Sequence, residues 1–328
     1  MDETRDSSGN PGASSAVRFA TLMLLLATVG WGLGFTWAKS AQEAVNQKLD
    51  LPPEAAVGPL LTVGVRYVLA GFLMLAVVGR SRRGWSRVGI ARALSLGGLL
   101  GAATGLQHLG LGRTSEAVSA FLTSLTVLFV PLLMTVALRR PPSPLFWVAV
   151  ALATAGIWLM TGATPTGFGL GEALGLTCAL VFSIYLIAIN ALLPRDDPWR
   201  MAAGQFLVAG SMMLLICLLY DRGRRAMAPQ ALWELLQVSD IRVNLLLSML
   251  FPTFLSFILM NLYQPRVDPM RVALIYLMEP VFAAAYAYVA RGRSPGALGL
   301  TGALLILAAN LFVERLNSRG ARGDPRPK

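Results

Sequence analysis

One segment of the chain has two related copies, LQHLGLGRTSEAVSAFLTSLTVLF at residues 106–129 and LMNLYQPRVDPMRVALIYLMEPVF at residues 259–282. The copies align without a gap at a shift of 153 positions, and the matches include Leu106 with Leu259, Arg113 with Arg266 and Phe129 with Phe282. Each copy consists of an apolar run, a short polar stretch and a second apolar run. Self-similarity at a fixed shift indicates a chain built from structural repeats. We therefore predict two related halves.

Outward from these copies, the whole chain has the composition of a membrane protein. Of its 328 residues, 55% are hydrophobic and only 14% are charged, whereas a soluble domain carries about 25% charged residues. A helix needs about 20 mostly apolar residues to cross the hydrocarbon core. Ten such runs lie at residues 20–38, 60–79, 94–112, 117–138, 145–162, 170–190, 201–220, 243–263, 271–290 and 297–313. The runs are continuous, so we predict an all-α membrane protein with ten transmembrane helices and not a barrel of alternating strands.

The repeat also predicts how the spans are arranged. It pairs span three with span eight and span four with span nine, which gives five spans to each half. Because five is an odd number, the second half enters the membrane upside down, and such inverted repeats place a substrate site near the midplane. The predicted organisation is a disordered cytoplasmic tail at 1–18, a first five-helix repeat at 19–162, a second at 163–314 and a basic cytoplasmic tail at 315–328.

The cationic residues favour one orientation. The chain has 28 Lys and Arg against 17 Asp and Glu, a net charge of +11. If both termini are cytoplasmic, 18 of these cations fall in inside loops and tails and 9 in outside loops, with Arg66 inside a span. This bias follows the positive-inside rule and predicts a multi-pass protein of the cytoplasmic membrane with both termini inside. The cations lie in the loops between the spans, so we expect them to contact a lipid bilayer and not nucleic acid.

Four predicted spans are preceded by a residue pair that starts helices. The pairs are Ser143-Pro144, Asp197-Pro198, Asp268-Pro269 and Ser294-Pro295. A Ser or Asp side chain accepts hydrogen bonds from free amides of the first turn, and Pro suits the first helical position. The pairs therefore predict helix starts at these four places.

Charged groups within the spans are candidates for the transported path, because such groups are costly in hydrocarbon and usually face a cavity or a partner. Glu279 lies inside span nine, beside Pro280, which removes an amide and loosens the helix in a way that suits gating. Glu279 is predicted to bind a cationic amine or to take up a proton. The alternative is a structural carboxyl held by Arg or Tyr side chains of a neighbouring helix.

Two polar pairs are further candidates for substrate binding. Arg66 and Tyr67 open span two, where Arg66 is expected near the outer surface, either attracting a carboxylate or snorkelling to the headgroups. His108 is the only histidine and lies beside Gln107 near the outer end of span three. His108 could titrate near neutral pH and gate transport, or it could be a hydrogen-bonded interface residue.

Aromatic and amide side chains complete the candidate site. Trp31, Phe35, Tyr185 and Tyr276 are expected to line a cavity, where rings can hold an ammonium group by cation–π attraction, although packing is the alternative. The amides of Asn190, Gln205, Asn261 and Gln264 are predicted to bond between helices or to contact headgroups. One histidine and two cysteines within spans provide no metal-binding spacing, so no metal and no cofactor are predicted.

The sequence resembles the EamA-type transporters of the drug/metabolite transporter superfamily. The resemblance rests on WGLGFTWAKS at 31–40, on Arg66-Tyr67, on LGLGRTSEAVSAFLTSLTVLFVPLLM at 109–134 and on LMEPVFAAAYAYVARGRSP at 277–295. It covers roughly residues 20–313 and implies ten helices in two repeats that move small metabolites such as amino acids and amines. The chain departs from the family where an acidic residue usually follows a Gly at the ends of helices four and nine, because Arg140 and Arg293 stand there.

These observations predict a secondary transporter, with export by alternating access as the expected mode, acting as a monomer or homodimer with protons as a candidate coupling partner. An enzyme is disfavoured because the spans contain no nucleophile–base pair, carboxylate pair or metal cluster. A nucleotide-sugar or lipid-carrier translocator is one alternative, and a membrane scaffold or a membrane enzyme is another.

Overall fold

The computed structural model describes residues 11–114, 116–136, 139, 141–161, 169–291 and 296–320, and these are helical with short connections and without a strand. The first half contains α1 (Pro11–Lys48), α2 (Val57–Val77), α3 (Arg87–Leu111), α4 (Glu116–Ser124), α5 (Thr126–Val136) and α6 (Pro144–Thr161). The second half contains α7 (Leu170–Leu192), α8 (Pro198–Cys217), α9 (Asp221–Ala226), α10 (Pro229–Gln237), α11 (Ser239–Ser248), α12 (Ser256–Tyr263), α13 (Pro269–Tyr276), α14 (Met278–Arg291) and α15 (Gly296–Gly320). A π-helical segment, Met249–Leu255, joins α11 to α12.

Within those ranges, seven helical segments are long and apolar enough to cross a membrane: Ser15–Lys48, Val57–Val77, Arg87–Leu111, Val118–Val136, Leu170–Arg195, Pro198–Cys217 and Ser239–Arg266. Two further apolar helices, Pro144–Leu159 and Gly296–Phe312, are shorter. The predicted ninth span is divided between α13 and α14. The structure therefore confirms an all-helical, multi-pass architecture, while the number of ten crossings stays a prediction.

The predicted helix starts are confirmed at three of the four places. Asp197 Oδ1 accepts hydrogen bonds from the amides of Trp199 (3.0 Å) and Arg200 (3.1 Å) at the start of α8. Asp268 Oδ1 accepts from the amide of Met270 at 2.9 Å, and Ser143 Oγ accepts from Phe146 at 3.3 Å. The fourth pair, Ser294-Pro295, lies outside the described residues, as do Arg140 and Arg293.

Both terminal helices are longer than the hydrophobic runs that predicted them. α1 begins at Pro11, inside the segment 1–18 that we predicted as a disordered tail, and α15 continues to Gly320, inside the predicted basic tail. Polarity alone does not end a helix, because Ser, Arg and Glu are tolerated in helices at small cost. Residues 1–10 and 321–328 lie outside the described part of the chain.

The helices pack in a pattern that the two halves share. α1 packs against α11, α12 and α14, while α7 packs against α3, α4 and α5. α2 packs against α8, and α6 packs against α15. If α1 is exchanged with α7, α2 with α8, α3 with α11–α12, α4–α5 with α13–α14 and α6 with α15, the pattern maps onto itself. The structure therefore fits a two-repeat architecture.

Small residues allow these close contacts. Between α2 and α8, a Cβ added to Gly210 would lie only 2.7 Å from the backbone nitrogen of Val68. On α3, a Cβ on Gly97 would lie 2.6 Å from Val208 of the same partner helix. Helices in a membrane gain little from the hydrophobic effect between them, so close van der Waals contact through small residues stabilises the pairs.

The fourth and ninth predicted spans are broken at matching places. Span four is interrupted at Leu125, between α4 and α5, and span nine at Leu277, between α13 and α14. At the repeat shift of 153 positions Leu125 falls on Met278, one residue beyond Leu277. Interrupted helices in corresponding positions of two halves indicate a binding site, because irregular backbone within a membrane is tolerated only inside protein or beside a cavity.

Candidate functional site

A cavity lies between the two halves, beside both helix breaks. It contains about 920 Å³ of space free of atoms, including its opening to solvent. Helices α1–α5 line it from the first half, and α7, α12, α13, α14 and the π-helical segment line it from the second. Nine of the ten residues predicted as a site are in the lining: Trp31, Phe35, Arg66, Tyr67, Gln107, His108, Tyr276, Glu279 and Pro280.

Arg66 places a buried positive charge in this cavity. It is the tenth of the 21 residues of α2 and is 6% exposed, so it lies about 14 Å along the helix from its start. Its guanidinium carbon stands 5.3 Å from the centre of the Tyr67 ring. Within the described residues, Arg66 has no carboxylate within the 4.0 Å of an ion pair.

The prediction that Arg66 lies near the outer surface is wrong. α2 begins at Val57, three residues before the apolar run that marked the predicted span. The helix starts early because the side chain of Asn46 accepts a hydrogen bond from the amide of Gly58 at 2.8 Å. This start moves Arg66 to the middle of the helix, where its side chain is too deep to snorkel to headgroups.

His108 is the neighbour of Arg66 on α3. Arg66 Nη2 lies 3.0 Å from His108 Nε2. Because a guanidinium group can only donate, Nε2 must accept, and this assigns the proton of the neutral ring to Nδ1. His108 Nδ1 and Arg66 Nε are both buried, and neither has a hydrogen-bond partner in the described protein. The pair therefore presents two unused donors.

Glu279 places a carboxyl group in the same cavity. It is the second residue of α14, two positions after the break at Leu277, so it lies where the helix dipole favours a negative charge. Among the described residues its side chain takes part in no ion pair. At the repeat shift, the matching position of the first half is Thr126, the first residue of α5. The two halves thus present a neutral hydroxyl and an acid at equivalent positions.

Aromatic rings form one wall of the cavity. The ring of Trp31 makes edge contacts with those of Tyr276 and Phe257, with centroids 4.9 Å and 5.3 Å away. Trp31 Nε1 donates a hydrogen bond to the backbone oxygen of Pro252 at 2.9 Å, which fixes the indole. Tyr67 adds a further edge contact to Phe257, at 6.0 Å. A rigid wall of this kind suits an apolar side chain or an ammonium group.

Tyr185 is the predicted site residue that does not line the cavity. It is fully buried, and its hydroxyl donates to Gln205 Oε1 at 2.7 Å. Gln205 Nε2 in turn donates to Asn261 Oδ1 at 2.8 Å, which connects α7, α8 and α12. The ring and hydroxyl of Tyr185 therefore serve packing and an internal hydrogen-bond network.

A second amide network joins α7 to the end of α12. Gln264 Nε2 donates to Asn190 Oδ1 at 2.9 Å, and Asn190 Nδ2 donates to the backbone oxygen of Val267 at 2.6 Å. The hydroxyl of Tyr276 donates to Gln264 Oε1 at 3.0 Å. These bonds confirm the prediction of interhelical amide contacts. They also direct the Tyr276 hydroxyl to Gln264, so it does not hold Glu279.

Sequence reasoning missed the hydroxyl side chains in the lining, which are Thr104, Thr123, Ser124 and Thr126. Gln107 Nε2 donates to Thr123 Oγ1 at 3.4 Å, which places this amide among them. A signal was present, since three hydroxyl residues occur within the four positions 123–126 of an otherwise apolar run. The hydroxyls surround the first helix break and give that side of the cavity a polar surface.

A second group of charges lies at one end of the bundle, where the α2–α3 and α7–α8 connections meet; we call it the loop junction. Asp196, whose side chain is 4% exposed, is bonded to Arg200 and lies 3.5 Å from Arg92 Nη1. Arg80 Nη2 donates to Asp197 Oδ2 at 2.8 Å. Arg92 Nη1 also donates to the backbone oxygen of Arg195 at 2.8 Å. These bonds connect the two halves.

The surroundings of Asp196 keep it ionised. Partial burial by itself would raise the pKa of this carboxyl group. Hydrogen bonds from Arg200 and from the amide of Asp197, together with the charges of Arg200 and Arg92, outweigh burial and lower the pKa below its ordinary value of 3.8. The loop junction is thus a paired ionic cluster at neutral pH.

Comparison with known proteins gives the family. The sequence profile of the EamA-like transporter family matches residues 18–162 and again residues 169–315. The chain belongs to this family. The two matches fall on the two halves described above, and they confirm the resemblance drawn from the helix motifs.

Relatives of this family member agree with that assignment. A protein of Archaeoglobus fulgidus named an uncharacterized transporter is 24% identical over 303 residues, which is 90% of this chain and 85% of its own. A protein known from its crystal structure is 19% identical and superposes with a TM-score of 0.70 over 92% of this chain and 98% of its own, which shows a common fold. Family and relative point to a membrane transporter rather than an enzyme.

Proposed function

We propose that this EamA-family protein is a secondary transporter for small solutes that carry an amine, a carboxylate or both, such as amino acids, amines and related metabolites. One observation carries the proposal. Arg66 and Glu279 bring a guanidinium group and a carboxyl group into a single cavity, and neither has an ionic partner within the described part of the chain. Unpaired ionisable groups inside a membrane protein are costly, so a binding role best explains them.

The cavity contains binding partners for both ends of such a solute. A carboxylate would meet the guanidinium of Arg66 and the free Nδ1 proton of His108, which together offer charge-assisted hydrogen bonds. An ammonium group would meet Glu279 and the faces of Trp31 and Tyr276. The hydroxyl groups at the first helix break would accommodate polar substituents. Charge pairing of this kind offsets the free-energy cost of removing water from the solute and from the protein groups.

We further propose alternating access, in which ten membrane-crossing segments form two inverted halves that rock around the cavity. The breaks at Leu125 and Leu277 support this mechanism, because they allow each half of a span to move separately. Gly32 of α1 is in close contact with the second break, since a Cβ there would lie 2.7 Å from the backbone oxygen of Glu279. Pro280 removes an amide beside it and would serve as the gating hinge. Export is the proposed direction, supported by the family resemblance.

The excess of cations in one set of loops supports a cytoplasmic membrane location with both termini inside. Labelling with a membrane-impermeant thiol reagent tests this orientation, because both natural cysteines, Cys178 and Cys217, are buried. Arg222→Cys on α9 should react in intact cells, and Arg83→Cys in the α2–α3 connection should react only after the membrane is permeabilised. The reverse pattern would contradict the orientation.

Solute flux into proteoliposomes tests the function. Amino acids, monoamines, dicarboxylates and a nucleotide sugar are compared for the wild type, Glu279→Gln and Glu234→Gln, with and without a pH gradient. Glu234 is an exposed residue of α10 outside the cavity, so its substitution is the matched control. We expect amino acids or amines to move, Glu279→Gln to reduce their flux at least tenfold and Glu234→Gln to match the wild type.

The same experiment can refute the proposal. Flux of the nucleotide sugar alone would favour the translocator alternative. Wild-type flux and an unchanged pH response in Glu279→Gln would make Glu279 a structural residue. Absence of flux for every solute class, with correctly folded protein, would favour a scaffold.

A further inference from the structure

An open groove rich in arginine lies at the loop junction, outside the central cavity. Residues 79–80 and 82–84 of the α2–α3 connection line one side, and Asp197 and Arg200 line the other. The lining therefore includes four arginines and one aspartate. The aspartate is already bonded to Arg80, and Arg200 is bonded to Asp196. The groove keeps an excess of positive charge after all these ion pairs are formed.

Arg82 and Arg83 carry this excess. Both side chains are exposed, and neither takes part in an ion pair among the described residues. Arg82 is nevertheless held in place, because its guanidinium donates to the backbone oxygens of Leu75 and Ala76 at the end of α2. Gly84 has a φ of 74°, which favours glycine, and a Cβ there would lie 2.6 Å from Arg200 Nη1. The turn thus leaves the groove open.

An apolar face leads to this groove. Leu69, Phe72 and Val77 of α2 are 43%, 59% and 68% exposed. Val77 is the last residue of that helix, so the groove lies where the chain leaves the spanning segment and reaches the level of lipid headgroups. Val88 and Ile90 at the start of α3 are also exposed, at 58% and 47%. A phosphate group in water would make no use of such a face, whereas an acyl chain would cover it.

From this combination we infer that the groove binds the headgroup of an anionic phospholipid. The phosphate would sit against Arg82 and Arg83, and one acyl chain would lie along the exposed face of α2. Basic pockets at the membrane surface recognise anionic headgroups in this way, and the cytoplasmic leaflet is the anionic one. The groove is made by the connections of both halves, so a bound lipid bridges them. The inference concerns a site separate from the central cavity and does not rest on the proposed transport activity.

Native mass spectrometry of the purified full chain in neutral detergent tests the inference. The protein is mixed with equal amounts of phosphatidylglycerol and phosphatidylcholine that carry identical acyl chains. We expect the wild type to retain phosphatidylglycerol at least fivefold over phosphatidylcholine. The double variant Arg82→Gln/Arg83→Gln should lose the preference, and Arg82→Lys/Arg83→Lys should keep most of it. Arg222→Gln/Arg225→Gln, with the same charge change on exposed α9 residues, should match the wild type.

Three results would overturn the inference. One is equal retention of both lipids by the wild type. Another is an equal loss of preference in the α9 control, which would indicate attraction by net charge alone. The third is displacement of the lipid by millimolar glycerol phosphate, which would assign the groove to a soluble phosphate. A thermal melt without lipid accompanies each variant, and the single variant Arg83→Gln replaces the double one if Arg82 proves necessary for folding.

Discussion

The central cavity and the loop junction use the same kinds of residue in opposite ways. At the loop junction, Asp196 has two arginine partners and Asp197 has one. In the cavity, Arg66 and Glu279 have no ionic partner within the described protein, although both line the same space. Paired charges connect the halves, while unpaired charges are available to a ligand. The difference shows that pairing, and not charge itself, separates a structural group from a candidate binding group.

The largest effect is expected from Arg66→Gln. Removal of the guanidinium takes away the predicted partner of a solute carboxylate, so flux of amino acids should fall at least tenfold in proteoliposomes. The thermal midpoint of unfolding should stay the same or rise, because a buried charge without a carboxylate partner is costly to the folded state. Loss of flux without loss of stability would sharpen the contrast between cavity and junction.

Arg222→Gln is the control for this change, since Arg222 is exposed on α9. It should leave both flux and thermal midpoint at wild-type values. A marked destabilisation by Arg66→Gln would break the comparison, because it would show that Arg66 is held by the protein as firmly as the arginines of the junction.

At the loop junction, removal of a charge should instead lower the stability of the fold. Asp196→Asn leaves Arg92 and Arg200 without their carboxylate, and we expect the free energy of unfolding to fall by about 1–3 kcal/mol. Denaturation in mild detergent, followed by tryptophan fluorescence, measures the change. Asp221→Asn is the matched control, because the Asp221 side chain is 78% exposed in its ion pair with Arg224, and exposed pairs contribute about 0–1 kcal/mol. Equal effects of the two changes would refute a structural role for Asp196.

The lowered pKa of Asp196 gives a pH dependence. The folded protein binds the proton less readily than the unfolded chain, so this group stabilises the fold above the ordinary carboxyl pKa of 3.8. The contribution is lost as pH falls from about that value through the lower pKa of the folded carboxylate, because the unfolded chain takes up the proton first. Between pH 5 and pH 3, roughly the range around that pKa, the wild type should lose stability faster than Asp196→Asn. Parallel curves would show that other carboxyl groups control acid unfolding.

The smallest effect is expected from Arg80→Gln. The Arg80 side chain is 76% exposed, so its ion pair with Asp197 should contribute about 0–1 kcal/mol and weaken with salt. Asp197 would keep its second role, since Oδ1 accepts from the first amides of α8 while only Oδ2 faces Arg80. Thermal melts at low and high salt measure the difference, and a large loss at both would place Arg80 among the essential connections.

Much of the fold could be predicted from the sequence because bilayer thickness imposes long apolar runs. Short capping pairs also predicted four helix starts, of which the structure confirms three. The break at Leu277 was indicated by Pro280, which lies three residues further on and removes an amide. The break at Leu125 has neither a glycine nor a proline beside it and could not be predicted in this way. The extension of α1 back to Pro11 was missed because the prediction followed hydrophobicity, which does not mark where a helix ends.

Part of the candidate site could be predicted, because ionisable side chains within apolar spans stand out in the sequence. Arg66, His108 and Glu279 were chosen because of their cost in hydrocarbon, and the structure brings all three to one cavity. The depth of Arg66 was wrong because it depends on how Asn46 starts α2, a contact across a loop. Tyr185 was wrongly assigned to the cavity. When a helix is apolar on every side, the pattern of its sequence does not show which side faces the cavity.

The π-helical segment Met249–Leu255 has a consequence for the number of residues in this helix. A π-helical turn accommodates a residue that an α-helix of the same rise would not contain. Deletion of the extra position within 249–255 would therefore restore α-helical winding and leave the residues that follow on the same face of the helix. Phe257 would stay against the ring of Trp31, and Asn261 would stay against Gln205. The same deletion within α12 would instead rotate the residues that follow it by about 100°, so this helix can lose one residue in the π-helical segment but not in the α-helical one.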